Sequence, residues 1–131
     1  MNKKYLIRYL DSYRIIRVAF FGTFSGVNNA ATIMEKLAEA VEEYNCTRFL
    51  FDMRNTQVAD SYAELFHLGI HASVLGFKKE YKAAVLFSQD EKKHRVVERV
   101  MQDRSFQLQV FQNENAALIW LNQASGKGTD T

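Results

Sequence analysis

Five consecutive apolar side chains, Ala-Ala-Val-Leu-Phe at 83–87, stand between charged segments at 78–82 and 90–95. Neighbouring side chains of a β-strand point to opposite faces, so such a run has to be covered on both sides. That is the situation of a strand near the centre of a parallel sheet with helices packed against it.

The flanking sequence agrees with this reading. Residues 27–44 place Ala30, Ile33, Leu37, Val41 and Tyr44 along one helical face and Glu35, Lys36, Glu39, Glu42 and Glu43 outside it. Further helices are predicted at 61–76, 91–103 and 114–122, and strands at 48–53 and 106–111, with a loop between 53 and 61. In the last strand Gln107 and Gln109 alternate with Phe106, Leu108 and Val110, which suits an edge or one wetter face. At the start of the chain, 4–9 alternates Tyr5, Ile7 and Tyr9 with other side chains, and 14–21 carries Ile15, Ile16, Val18, Phe20 and Phe21. Asp11-Ser12 lies between them and suits a hairpin turn. The expected fold is α/β: a five-stranded mixed, mainly parallel sheet, its first strand antiparallel, with about four helices over residues 1–123. Residues 124–131, all small or polar apart from one lysine and one aspartate, are expected to form a flexible tail.

Composition narrows the function. The chain has 131 residues, enough for one core, and its formal net charge of +2 leaves no broad basic footprint for nucleic acid. Basic side chains at Lys78, Lys79 and Lys82 and at Lys92, Lys93 and Arg95 are interrupted by Glu80, Asp90 and Glu91, and are read as solvated surface. Cys46, the only cysteine, cannot close an internal disulfide. No stretch has the length of apolar sequence that crosses a bilayer, and the first residues lack the pattern of a signal peptide. A cytoplasmic location is expected.

Each candidate site residue also has a structural explanation. Gly22 and Gly26 sit between a strand and a helix, where backbone N–H groups converge, but Gly-Thr-Phe-Ser-Gly lacks a nucleotide fingerprint and reads as a turn and cap. His67 and His71 are four residues apart with Glu64 in the same sector, a spacing compatible with a metal. They fall on the narrow polar side of their helix and are read as solvated, as is His94 beside Lys93 and Arg95. No metal or other cofactor is expected. Asp52 and Asp60 bracket the loop after the third strand, at the carboxyl end where sites of parallel sheets gather. Asp60 or Ser61 also suits a helix cap. Leu65, Phe66, Ile70, Val74 and Phe77 spread apolar surface around the 61–76 helix more widely than one contact with a sheet requires. Burial in the chain's own core, a homodimer or partner interface, and the cover of an apolar small-molecule cavity would each account for it.

The segment from Asp52 to Ala63, Asp-Met-Arg-Asn-Thr-Gln-Val-Ala-Asp-Ser-Tyr-Ala, resembles the STAS domains in their SpoIIAA-like branch. In anti-sigma-factor antagonists of that class, a strand ends in an aspartate and an Asp-Ser-Ser/Thr-Gly turn opens the next helix. This chain keeps the interval between the aspartates and the Asp-Ser pair, whereas Tyr62 replaces the small hydroxyl residue and Ala63 the glycine. The resemblance covers the organisation of about residues 5–122. It implies a regulatory role without catalysis, and it places the phosphoacceptor of such a switch on Ser61, with Asp52, Asp60 and Tyr62 around it. The SpoIIAA-like branch further implies binding of an apolar ligand or lipid.

The resulting expectation is a noncatalytic regulatory or ligand-binding module that takes an apolar small molecule or a protein partner. The alternatives are an antagonist-like switch phosphorylated at Ser61 and an enzyme without a legible signature. A homodimer is also expected, because consecutive crossovers gather helices on one face and would leave Val18, Phe20, Phe49 and Phe51 in need of cover on the other.

Overall fold

Strands that are neighbours in sequence are also neighbours in space. β1 (Tyr5–Leu10), β2 (Ile15–Phe24), β3 (Arg48–Val58), β4 (Lys82–Leu86) and β5 (Gln107–Phe111) lie in that order in a computed structural model that describes residues 4–123. β1 runs antiparallel to β2, and the other three pairs are parallel. The helices are α1 (Gly26–Tyr44), α2 (Tyr62–Ile70), α3 (Ala72–Leu75), α4 (Glu91–Asp103) and α5 (Glu114–Asn122). The expected tail at 124–131 lies outside the described residues.

Two local differences from the sequence reading have identifiable causes. The span expected as one helix over 61–76 breaks at His71, whose φ of −95° and ψ of 14° leave the α-region, and ends on Gly76 with a φ of 113° that a glycine accepts without a Cβ penalty. The expected loop after residue 53 is instead strand, because β2 continues and pairs Phe21 through Phe24 with Asn55 through Val58. The register shifts by one residue on the way, with Ala19 opposite Asp52 and Phe21 opposite Asn55. This bulge turns both Arg54 and Asn55 toward the side of Asp52 and returns Thr56 and Val58 to the core.

Alternation along the strands divides the core in two. Ile16, Val18, Phe20, Phe49, Ala83, Val85, Leu108 and Val110 face the layer formed by α1, α2, α3 and α4. Ile15, Leu50, Ala84 and Leu86 face Ala117 and Leu121 of α5 on the opposite side. The expected open face bearing Val18, Phe20 and Phe49 is therefore the covered one, with Phe51 packed beside them, and it gives no reason for a dimer. α5 also explains the complete burial of β4. Lys82, expected on the surface, is 6% exposed, and its Nζ donates to the carbonyls of Trp120 and Gln123 at the end of α5, at 2.7 and 2.8 Å. Burial pushes its pKa down, with the nearby Arg48 charge adding to the effect.

The outer edge of β5 is covered by α4. Glu98 accepts from the Val110 N–H at 2.9 Å, and the Gln102 amide donates to the Leu108 carbonyl at 2.8 Å. These bonds occupy groups that would otherwise invite another strand. α2 and α4 meet at Gly69, where a Cβ would lie 2.9 Å from Val100 Cγ1 and 3.0 Å from its Cβ. Gly69→Ala is therefore expected to destabilise the fold by about 1–3 kcal/mol through overpacking, measured by chemical denaturation; an unchanged midpoint would show that the helices separate freely.

Candidate functional site

The end of β3, the start of α1 and the start of α2 meet at Asp60, which is 2% exposed. Its carboxylate accepts from the backbone N–H of Gly26 at 2.7 Å and of Val27 at 3.0 Å. α1 has no acidic residue in its first turn, so Asp60 supplies the negative charge favoured there from a distant part of the chain. Ser61 caps the other helix: its Oγ accepts from Glu64 N–H at 3.1 Å, and Glu64 Oε1 accepts from Ser61 N–H at 2.8 Å. This reciprocal capping box leaves Ser61 and Tyr62 exposed. It also engages the Glu64 carboxylate that the sequence reading set beside His67 and His71. Those two histidines are exposed, and among the described residues no group of three His, Cys, Asp or Glu side chains could hold a metal ion.

Asp52 lies apart from this junction, on the α5 side of the sheet. Its carboxylate accepts from Arg17 at 2.6 Å and from Arg54 at 2.9 Å, and Arg54 also reaches Glu114 at 3.1 Å. Burial alone would raise the Asp52 pKa. The side-chain and backbone hydrogen bonds from Arg54, its charge, and the Arg17 bond outweigh burial and bring it down to about 2. The two aspartates bracketed by the sequence reading therefore do not share a site.

The third region is an apolar cavity between the sheet and the helices α1, α2 and α4. It has a volume of about 180 Å³ and is bounded by residues such as Phe20, Met34, Phe51, Leu68, Val85 and Val97. A second apolar cavity of about 140 Å³ shares Ala30, Met34, Leu68 and Val97 with it and extends toward Phe77. Leu65 lines the first and Phe77 the second, while Ile70 is half-buried. Phe66 and Val74 are 47% and 81% exposed, so the apolar arc is shared between the cavity wall and the surface.

His94, expected on the surface, lines the first cavity and is 6% exposed. Its ring stacks on Phe87, with centroids 5.6 Å apart, and its Nε2 has no hydrogen-bond partner among the described residues. Burial lowers its pKa, opposed by the Asp90 charge. The charged neighbours Lys93 and Arg95 hid this position in the sequence. The helical spacing of His94, Val97 and Met101 was the signal that could have found it.

No family model matches the chain, and no protein with a curated description matches it. Solved structures do. An uncharacterized protein of the DUF3478 family with a SpoIIAA-like fold, from Shewanella loihica PV-4, superposes with a TM-score of 0.56 at 17% identity, covering 89% of this chain and 91% of that one. The fold is SpoIIAA-like. The anti-sigma factor antagonist SpoIIAA in its unphosphorylated form gives a TM-score of 0.56 at 11% identity over 92% of this chain and 99% of that one. An anti-sigma factor antagonist from Mycobacterium paratuberculosis gives 0.58 at 16% identity, over 91% and 93%. Among the described helices of this SpoIIAA-like chain none is long and apolar enough to cross a membrane.

Ser61→Ala should cost about 0.5–2 kcal/mol through loss of a cap, and Asp60→Ala about 2 kcal/mol or more, since it strands the buried N–H of Gly26 and the part-buried N–H of Val27. Denaturant titration of both variants checks the order, and equal losses would refute the long-range cap. For His94 the folded pKa lies below the unfolded one, so the unfolded state takes up more protons and stability falls as pH drops through about 6.5. His94→Phe should remove that part of the acid sensitivity between about pH 7.5 and 5.5, while an unaltered stability-pH curve would show that the ring takes up its proton in the fold as readily as in the unfolded chain.

Proposed function

We propose that this chain is a noncatalytic regulatory module that holds an apolar small molecule between its sheet and its α1, α2 and α4 layer. The observation that carries this reading is the cavity. The larger hollow bounded by Tyr9, Arg14, Tyr44 and Arg48 has largely polar walls, and two others mix polar and apolar side chains, whereas among the described residues the 180 Å³ cavity is bounded by apolar side chains except at Lys93 and His94. At roughly 24 cal/mol per Å³, leaving such a volume empty costs on the order of 4 kcal/mol. That is a large share of the roughly 5–15 kcal/mol by which a domain is stable. A bound apolar molecule would offset it.

The same helix connects the cavity to the surface. Leu65 and Leu68 of α2 line the cavity, while Tyr62 and Phe66 on that helix are exposed beside Ser61. Occupancy of the cavity would therefore be felt where a protein partner, including a second copy, could dock. The exposed hydroxyl of Ser61 supports a second reading, in which phosphate on Ser61 changes the same surface. A phosphate mass shift on Ser61 in protein from its native cells would support the switch, and its absence under all growth conditions would count against it.

The cavity reading is tested with N-phenylnaphthylamine, an uncharged apolar fluorophore, and with Ala30→Leu, which adds carbon to the wall common to both cavities. The natural chain is expected to bind the probe and be stabilised by it, and the variant to bind about tenfold more weakly with no loss of thermal stability. Equal binding by both chains would place the probe elsewhere and overturn the reading.

A further inference from the structure

Among the described residues, the cavity's two lining side chains with nitrogen atoms are consecutive. Lys93 and His94 both belong to the first turn of α4, and every other lining residue is apolar. Lys93 is half-buried, and its Nζ donates to the Val58 carbonyl at 2.9 Å, a residue that also lines the cavity. An ammonium group has three donors, and one is used here. Arg17, Arg54 and Arg95 each pair with a carboxylate, whereas Lys93 has none within ion-pair distance among the described residues. The carboxylates nearest in sequence are engaged otherwise: Asp90 accepts from the Val58 N–H at 2.9 Å, and Glu91 pairs with Arg95. On the same turn His94 contributes a buried nitrogen without a partner among the described residues.

A chamber with apolar walls, bordered by one ammonium and one imidazole side chain on a single turn, matches a molecule that is apolar along its length and polar at one end. The unpaired cation specifies the sign of that end. We propose that the ligand is a single-chain amphiphile with a carboxylate head, its chain lying against Phe20, Met34, Leu68 and Val85 and its head held by Lys93 beside the His94 ring. This rests on the cavity reading above and adds to it the chemical class of the ligand and the residue that selects it.

The test compares dodecanoate with dodecanol, which have equal chains and different heads, by displacement of N-phenylnaphthylamine at neutral pH. The natural chain should bind dodecanoate more tightly. Lys93→Gln, confirmed as folded by circular dichroism, should weaken dodecanoate about tenfold or more and leave dodecanol unchanged, because a charge-assisted hydrogen bond is lost and the cavity is not. Lys93→Arg should keep most of the preference. Equal affinity for acid and alcohol in the natural chain would overturn the carboxylate anchor while the cavity reading stands, as would equal weakening of both ligands by Lys93→Gln. Failure of both ligands and of the fluorophore to bind would overturn the two together.

Discussion

The carboxylate of Asp60 fixes the relation between the sheet and its helices. It leaves the end of β3, is buried, and accepts two hydrogen bonds at the N-terminus of α1. Four N–H groups at any helix start lack intrahelical partners, and a negative charge placed against them also meets the positive end of the helix dipole. The next residue, Ser61, starts α2, so one dipeptide sets where two helices begin. α1 supplies Ala30, Ile33, Met34 and Leu37 to the cavity wall and α2 supplies Leu65 and Leu68. The separation of those walls is thus governed at one end by a short polar contact.

The sheet imposes the second constraint. Its alternation sends Phe49 toward four helices and Leu50 toward α5, so each face has its own cover. α5 is short and shields mainly β3, β4 and β5. Toward β1 and β2 the same face carries Leu6, Arg8, Arg17, Ala19 and Asn55 around a hollow of mixed polar and apolar walls. Asp52 lies at the boundary, where the hydrogen bonds and charge of Arg54 and the hydrogen bond from Arg17 outweigh burial and hold it ionised. The aspartate that ends the apolar part of β3 therefore joins the covered and the open parts of this face, a structural role separate from that of Asp60.

Most of the architecture was legible because it depends on local periodicity. The hairpin, the parallel order, the four main helical segments and the edge position of β5 all follow from patterns of a few residues. What was not legible depends on contacts distant in sequence. The strand character of 54–58 comes from pairing with the end of β2, and the Asp60 bonds span more than thirty residues. Lys82 looked like surface because its neighbours are charged, yet the end of α5 supplies carbonyls to its ammonium group. The faces of Val18, Phe20 and Phe49 were correctly grouped by alternation, but alternation does not say which face receives the larger cover. At the candidate site, the caps at 60 and 61 could be read from residue type, while the separation of Asp52 from Asp60 required the bulge in β3.

His94 is where local rules and the fold disagree most. Its position on α4 aligns with Val97 and Met101, facing the sheet, and an aliphatic residue there would bury apolar atoms without leaving a nitrogen unpaired. The ring gains a stack on Phe87, but phenylalanine could supply that as well. Stability therefore gives no reason for an imidazole at this point, and neither does solubility, since the side chain does not reach water. Departures of this kind concentrate where a chain binds something, because a polar group that is costly in the empty protein is satisfied when its partner arrives. The adjacent Lys93, which also lines the cavity and is tethered by a single hydrogen bond, is the second such departure. Both lie on one turn of one helix and both line the cavity, which sets them apart from Thr56, whose buried hydroxyl also has no partner among the described residues but does not line it.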